Sequence, residues 1–140
     1  MSDYNEKIIA DFARTNGKPG GGMQGRPVLL LHAIGAKSGI ERTKPLMFHR
    51  EGDGPWFIFA SMGGAPADPA WYRNVVANPE FDISVGDGTR IDRVPVRARV
   101  LEGQERETVY ATQSRNWPQF ADYAEKTSRE HIPVVELTRR

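Results

Sequence analysis

The sequence predicts a mainly β domain of the α+β class, a small antiparallel barrel of about six strands with helices at its periphery. Three observations carry that expectation. Short apolar runs recur along the chain and are parted by Gly, Pro, Asn and Asp turn chemistry. Helical spacing is confined to a few short stretches, and strands and helices do not alternate as they would in a parallel sheet. A chain of 140 residues suits one domain that buries a core without staples. We divide it into residues 1–25, a helix with a glycine-rich linker, and residues 26–140, the barrel core.

Ser2 to Arg14 place Ile8, Ile9 and Phe12 at helical spacing, the stripe of a short amphipathic helix. Asn16-Gly17-Lys18-Pro19-Gly20-Gly21-Gly22 reads as a flexible connector, because its glycines lack the strand-before, helix-after setting of a dinucleotide fingerprint. Val28 to Leu31 is apolar on both faces and bounded by Pro27 and Gly35, which predicts a buried strand. A cationic loop follows, with Lys37, Arg42 and Lys44 beside Ser38 and Thr43, and Pro45 to His49 returns as a second strand. That loop is either an anion cradle or a solvated basic hairpin.

Trp56 to Ala60 forms a third strand after the turn residues Gly52-Asp53-Gly54-Pro55, with large side chains on both faces. Ser61-Met62-Gly63-Gly64 leads away as a second glycine-bearing loop. Asp68-Pro69 reads as an N-cap with proline at the first helical position, opening a helix from Pro69 to Ala77 that carries Trp71 and Val75 on one face. Its N-terminus is a second candidate anion site. Phe81, Ile83 and Val85 alternate in a half-buried strand that turns at Asp87-Gly88. In the partner strand Val94, Val96, Ala98 and Val100 share one parity and Ile91 has the other, which predicts a bulge near Asp92-Arg93. Pro95 fits there only with its missing N–H facing a bulge or an open edge. Helices are expected over Gly103 to Arg115 and around Phe120, Tyr123 and Ala124, and a last strand from Pro133 to Leu137.

Nineteen Lys+Arg against 18 Asp+Glu leave a net charge of +1, so any anion site is local and no nucleic-acid partner is expected. The absence of cysteine removes disulfides, thiolate nucleophiles and Cys-based metal sites, and fits a cytoplasmic location. No apolar run reaches membrane-spanning length. Gly35-Ala36-Lys37-Ser38 echoes a P-loop but lacks its earlier glycine and the glycine before the lysine. There is no G-x-S-x-G elbow, and His32, His49 and His131 stand apart from other metal-ligand residues, so no metal site is expected. His32, at the mouth of the cationic loop, is kept as a ligand candidate. Without such groups, reactivity would come from a cofactor, with the protein supplying binding and orientation.

Several motifs follow one another in a telling order: Gly35-Ala36-Lys37-Ser38-Gly39, Arg42-Thr43-Lys44-Pro45-Leu46, Ala60-Ser61-Met62-Gly63-Gly64, Pro69-Ala70-Trp71-Tyr72-Arg73-Asn74, Ala77-Asn78-Pro79 and Ile132-Pro133-Val134-Val135. From Arg26 to Leu137 the chain resembles the deazaflavin-dependent nitroreductase family. The resemblance implies a split β-barrel of the FMN-binding split-barrel type and the coenzyme F420. It also implies reduction of a small organic substrate, a quinone, enone or nitroaromatic, by hydride.

Carried over by position, the resemblance gives Lys37, Ser38, Gly39, Arg42, Thr43, Lys44 and Pro45 to the phosphate and carboxylate tail of the coenzyme. It gives Ala60, Ser61 and Met62 to the loop beside the ring, and Ala70, Trp71, Tyr72, Arg73 and Asn74 to further coenzyme contacts. Tyr123 is similar in position to a tyrosine facing the substrate and is the candidate catalytic residue. Family members often carry arginine where this chain has Ala36 and lysine where it has Met62, so FMN or FAD in the same barrel stays open, as does a non-catalytic cofactor-binding protein. Such barrels occur as monomers or homodimers.

Overall fold

A computed structural model describes residues 3–18 and 25–140. Six strands close into an antiparallel barrel in the order β1-β2-β3-β6-β5-β4. They are β1 (Val28–Ile34), β2 (Glu41–Arg50), β3 (Trp56–Phe59), β4 (Glu80–Gly86), β5 (Ile91–Val100) and β6 (Val134–Arg139). Four α-helices accompany them: α1 (Asp3–Arg14), α2 (Ala70–Ala77), α3 (Gly103–Asn116) and α4 (Gln119–Lys126). Of the expected connector, Pro19 to Gly22 lie outside the described residues. No helix among the described residues is long and apolar enough to cross a membrane.

Strand parity sorts the apolar side chains into an inside and an outside. Leu29, Leu31, Ala33, Ile58, Ile83, Val94, Val96, Val135 and Leu137 fill the barrel, with Trp71 and Val75 of α2 added to the same cluster. The outward residues are also apolar where a helix covers them, which is why several strands read as apolar on both faces. Phe12 of α1 is buried on Val28 and Leu30, with Ile9 and Ile91 beside them. Phe59, Tyr110, Phe120, Ile132 and Val134 form a third cluster under α3 and α4. Tyr110 donates its hydroxyl to the Phe120 carbonyl at 2.7 Å, and burial pushes its pKa up to about 12.

Four local expectations are corrected. Arg42, Thr43 and Lys44 belong to β2 and not to the loop, because a tight turn over 35–40 lets pairing with β1 continue to Ile34↔Glu41. β5 has no bulge: its register with β4 runs unbroken from Glu80↔Arg97 to Gly86↔Ile91, and Ile91 has the opposite parity because it packs outward beneath α1. Asp68 does not cap α2; Pro69 holds the cap position, and Asp68 pairs with Arg129 at 2.7 Å. Asn16 and Gly17 are tied down, since Gly88 N–H donates to the Asn16 carbonyl at 2.9 Å.

Pro95 sits as its chemistry requires. Its carbonyl accepts from Arg140 N–H at 2.9 Å, so its nitrogen points to the side where β6 runs out, beyond the Val96↔Arg139 pair.

The most sensitive joint between α1 and the barrel is the crossing of Gly17 over Gly86. A Cβ on Gly86 would lie 2.3 Å from the Asn16 carbonyl oxygen and 2.6 Å from Gly17 Cα. Neither backbone can yield without losing its hydrogen bonds. Gly86→Ala is expected to cost about 2 kcal/mol or more in urea denaturation and to speed proteolysis within α1; an unchanged midpoint would mean that the crossing is not a packing constraint.

Candidate active site

The cleft arises from a mismatch in strand length. β2 has ten residues and β3 four, and they pair only over Phe48↔Ile58, His49↔Phe57 and Arg50↔Trp56. Upstream, residues 41–47 of β2 pair with β1 alone. Phe48 N–H points toward β1, where it meets the Pro27 carbonyl; Pro45, of the other parity, directs its donorless nitrogen to the open side. Proline therefore removes one donor from this free edge.

Beside that edge lies a cleft of about 1400 Å³. One wall comes from the 35–40 turn and β2, another from Ser61, Met62 and Gly63, and a third from the first turns of α2. Phe59, Phe120, Tyr123 and Met47 make an apolar end, and Tyr4 of α1 reaches the lining. The cleft thus has cationic and aromatic regions.

Most of the predicted residues meet here. Lys37, Ser38, Arg42, Thr43, Lys44, Pro45, Ser61, Met62, Ala70, Trp71, Arg73, Asn74 and Tyr123 all line the cleft. Gly39, Ala60 and Tyr72 do not. Gly39 takes φ +69° in the turn, Ala60 is fully buried in the barrel, and Tyr72 packs against the core, where burial raises its pKa.

Lys37, Arg42 and Lys44 form no ion pair among the described residues. The one carboxylate of this lining, Glu41, is engaged by Arg93 on the outer face of the barrel. Three exposed cations without counter-ions make a wall suited to an anion. The backbone of the turn is braced from α2. Asn74 Oδ1 accepts Ala36 N–H at 3.0 Å, and Asn78 Nδ2 donates to the Ile34 carbonyl at 3.1 Å. Within the turn, Ser38 Oγ accepts Ile40 N–H at 3.1 Å and keeps its own proton to donate.

The opposite wall is conformationally strained. Met62 has φ +46°, followed by Gly63 at +64° and Gly64 at +83°, and Met62 is 57% exposed. A non-glycine residue in the left-handed region costs about 1–2 kcal/mol, so surrounding contacts must impose it. They come from α4, because a Cβ at Gly64 would stand 3.0 Å from the Tyr123 carbonyl oxygen. Thr127 Oγ1 also donates to the Ala65 carbonyl at 2.8 Å. Tyr123 lies in the cleft with its ring 5.2 Å from Phe120, and its hydroxyl has no protein partner among the described residues.

His32 does not reach the cleft. It points outward, with Nε2 2.7 Å from Ser84 Oγ and Nδ1 3.0 Å from Thr43 Oγ1, so the Thr43 hydroxyl is paired with histidine. His49 pairs with Glu51 at 3.2 Å. Among the described residues no group of three or more His, Cys, Asp or Glu could hold a metal. Sequence reasoning missed Tyr4, Phe59 and Phe120 as lining, and the braces Asn78 and Arg129. Asn78 directly follows α2, and an amide at a helix end is a natural partner for loop carbonyls.

This barrel, closed at one end and parted at the other beside a cationic cleft, is of the split-barrel oxidoreductase class. Residues 6–139 match the F420H(2)-dependent quinone reductase family. An F420H(2)-dependent quinone reductase of Mycobacterium tuberculosis is 39% identical over 135 residues, 94% of this chain and 87% of that protein. A solved F420-H2 dependent reductase is 40% identical with TM-score 0.69, covering 81% of this chain and 95% of its own. A second solved structure, described as a domain-swapped dimer, is 37% identical with TM-score 0.69 over 95% of this chain and 96% of its own. The chain belongs to the F420H(2)-dependent quinone reductase family and is an oxidoreductase.

His32 gives a pH prediction. Burial first, and the Arg93 guanidinium second, hold its pKa below the ordinary histidine value against the carboxylates of Glu41 and Asp82. The unfolded chain therefore takes up this proton first. The stability is present in full above about pH 6.5 and is lost as pH falls from there through the lower folded-state value. Melting temperatures compared between about pH 7.5 and about pH 5 should fall more in the wild type than in His32→Gln; equal losses would contradict the assignment.

Proposed function

We propose that this protein reduces a quinone with hydride taken from reduced coenzyme F420 held in the cleft. The single observation that carries the reading is the set of uncompensated cations, Lys37, Arg42 and Lys44, on one wall of a cleft whose other end is aromatic. A cofactor with an anionic tail and a flat ring fits that division: charge meets the tail, and Ser61, Met62, Trp71 and Tyr123 border the space for the ring and the substrate. When bound, the coenzyme supplies a hydride.

The chain's own residues supply the rest. Lys37, Arg42 and Lys44 anchor the tail through charge-assisted hydrogen bonds, with Ser38 adding a hydroxyl donor. Ala70, Arg73 and Asn74 border the same region from the start of α2. Phe59, Phe120 and Met47 exclude water from the aromatic end, where an electron-poor ring would stack. Tyr123 is placed to give its hydroxyl proton to a substrate oxygen as negative charge builds there. Alignment of this kind is worth about 7–11 kcal/mol in favourable cases.

The deciding experiment follows the absorbance of reduced F420 on adding a benzoquinone or a naphthoquinone, with FMN and FAD titrated in parallel. Saturable oxidation with F420 and weak binding of FMN and FAD is the expected result. Tight FMN or FAD binding without F420 turnover would overturn it. Lys37→Ala should weaken coenzyme affinity about tenfold and flatten its salt dependence, with the melting temperature unchanged. Tyr123→Phe should lower kcat by about a hundredfold, with coenzyme affinity retained; wild-type kcat in this variant would remove Tyr123 from the chemistry.

A further inference from the structure

We propose that Arg129 is a positioning residue, a buried brace that sets the Ser61 and Met62 wall of the cleft against the start of α2; the inference builds on the reductase reading above. Arg129 lies between α4 and β6, does not line the cleft, and has a side chain only 9% exposed. Its guanidinium meets four acceptors. Nε donates to Thr127 Oγ1 at 2.9 Å, Nη1 to the Ala60 carbonyl at 2.8 Å and to Asp68 Oδ1 at 2.7 Å, and Nη2 to the Ser61 carbonyl at 2.8 Å.

Those acceptors belong to pieces of chain that otherwise share little. Ala60 follows the third strand, Ser61 begins the cleft-lining turn, and Asp68 precedes the helix whose first turns form another wall. The planar fork of arginine fixes the directions of the Ala60 and Ser61 carbonyls together. All peptide bonds described are trans. The N–H of each of these two peptide units therefore points opposite to its carbonyl, away from Arg129.

The following residue, Met62, is held in the left-handed region, a conformation that needs fixed neighbours. Thr127 extends the brace, since it receives from Arg129 Nε and donates to the Ala65 carbonyl. Residues 60–65 are thus fastened near both ends to the α4–β6 connection. A half-buried carboxylate and two carbonyls, all accepting from one guanidinium, account for a largely buried cation that does not line the cleft.

The test compares wild type with Arg129→Lys, which keeps the charge beside Asp68 but lacks the planar fork, and with Arg129→Gln. Amide hydrogen exchange of the coenzyme-free protein is expected to quicken about tenfold at 61–65 in both variants while the strand amides stay protected. In the loaded enzyme kcat should fall about tenfold or more with coenzyme Kd little changed, because the tail cations lie elsewhere. Lysine should restore the melting temperature in part without restoring kcat. Unchanged exchange at 61–65, or wild-type kcat in a fully folded variant, would overturn the proposal. Should both variants fail to fold, Thr127→Val, which frees Arg129 Nε and the Ala65 carbonyl, reads the same exchange rates. If the wild type does not oxidise reduced F420, the proposed function falls, and the exchange rates still decide the role of Arg129.

Discussion

The site depends on the failure of one strand pair to run its full length. β2 offers ten residues and β3 four, so the barrel closes below Phe48 and parts above it. An unpaired edge of backbone donors and acceptors is ordinarily a liability. Here Pro45 removes one donor, and the side chains along the edge, Arg42 and Lys44 among them, are charged. The same features that keep the edge from pairing with another chain make it a wall for an anionic ligand.

A second consequence is that the cleft walls need support from outside the barrel ladder. The 35–40 turn is held by Asn74 of α2 and by Asn78 just after it, and the 61–65 turn by α4 and by Arg129. On the outer face, His32 fastens β1 to Ser84 of β4 and to Thr43 of β2, and Arg93 joins Glu41 to Asp82. Lys37, Arg42, Lys44 and Ser38 keep donors for the cleft, while His32, Arg93 and Arg129 are spent on position. That division separates binding groups from braces, and it explains why Thr43, with its hydroxyl paired to His32, differs from Ser38.

Much of this was legible in the sequence, and the limits have physical causes. The run Val28 to Leu31 reads as apolar on both faces, as it must where the barrel core lies on one side and α1 on the other, and turn chemistry marks the β2–β3 and β4–β5 junctions. Lys37, Arg42, Lys44 and the Ser61 turn were visible as motifs because their chemistry is carried by residue type, whether the residue lies in a turn, as Lys37 does, or on a strand, as Arg42 and Lys44 do. Ile91 misled because parity cannot tell a bulge from a residue that packs outward beneath a helix. Asp68 misled because a carboxylate before a helix serves equally as cap or ion-pair partner, and only the distant Arg129 decides between them. Arg129 and Tyr4 gave no local signal, since their roles depend on partners many residues away.

The central claim is that the open edge of β2 holds the anionic part of the coenzyme while the 61–65 turn and Tyr123 border the reacting end. A crystal structure of the protein with coenzyme F420 tests it most directly. The account predicts phosphate oxygens about 3 Å from at least two of the cations Lys37, Arg42 and Lys44, with the ring between Ser61 and Tyr123. A tail bound along another face, with those three side chains left in solvent, would contradict it.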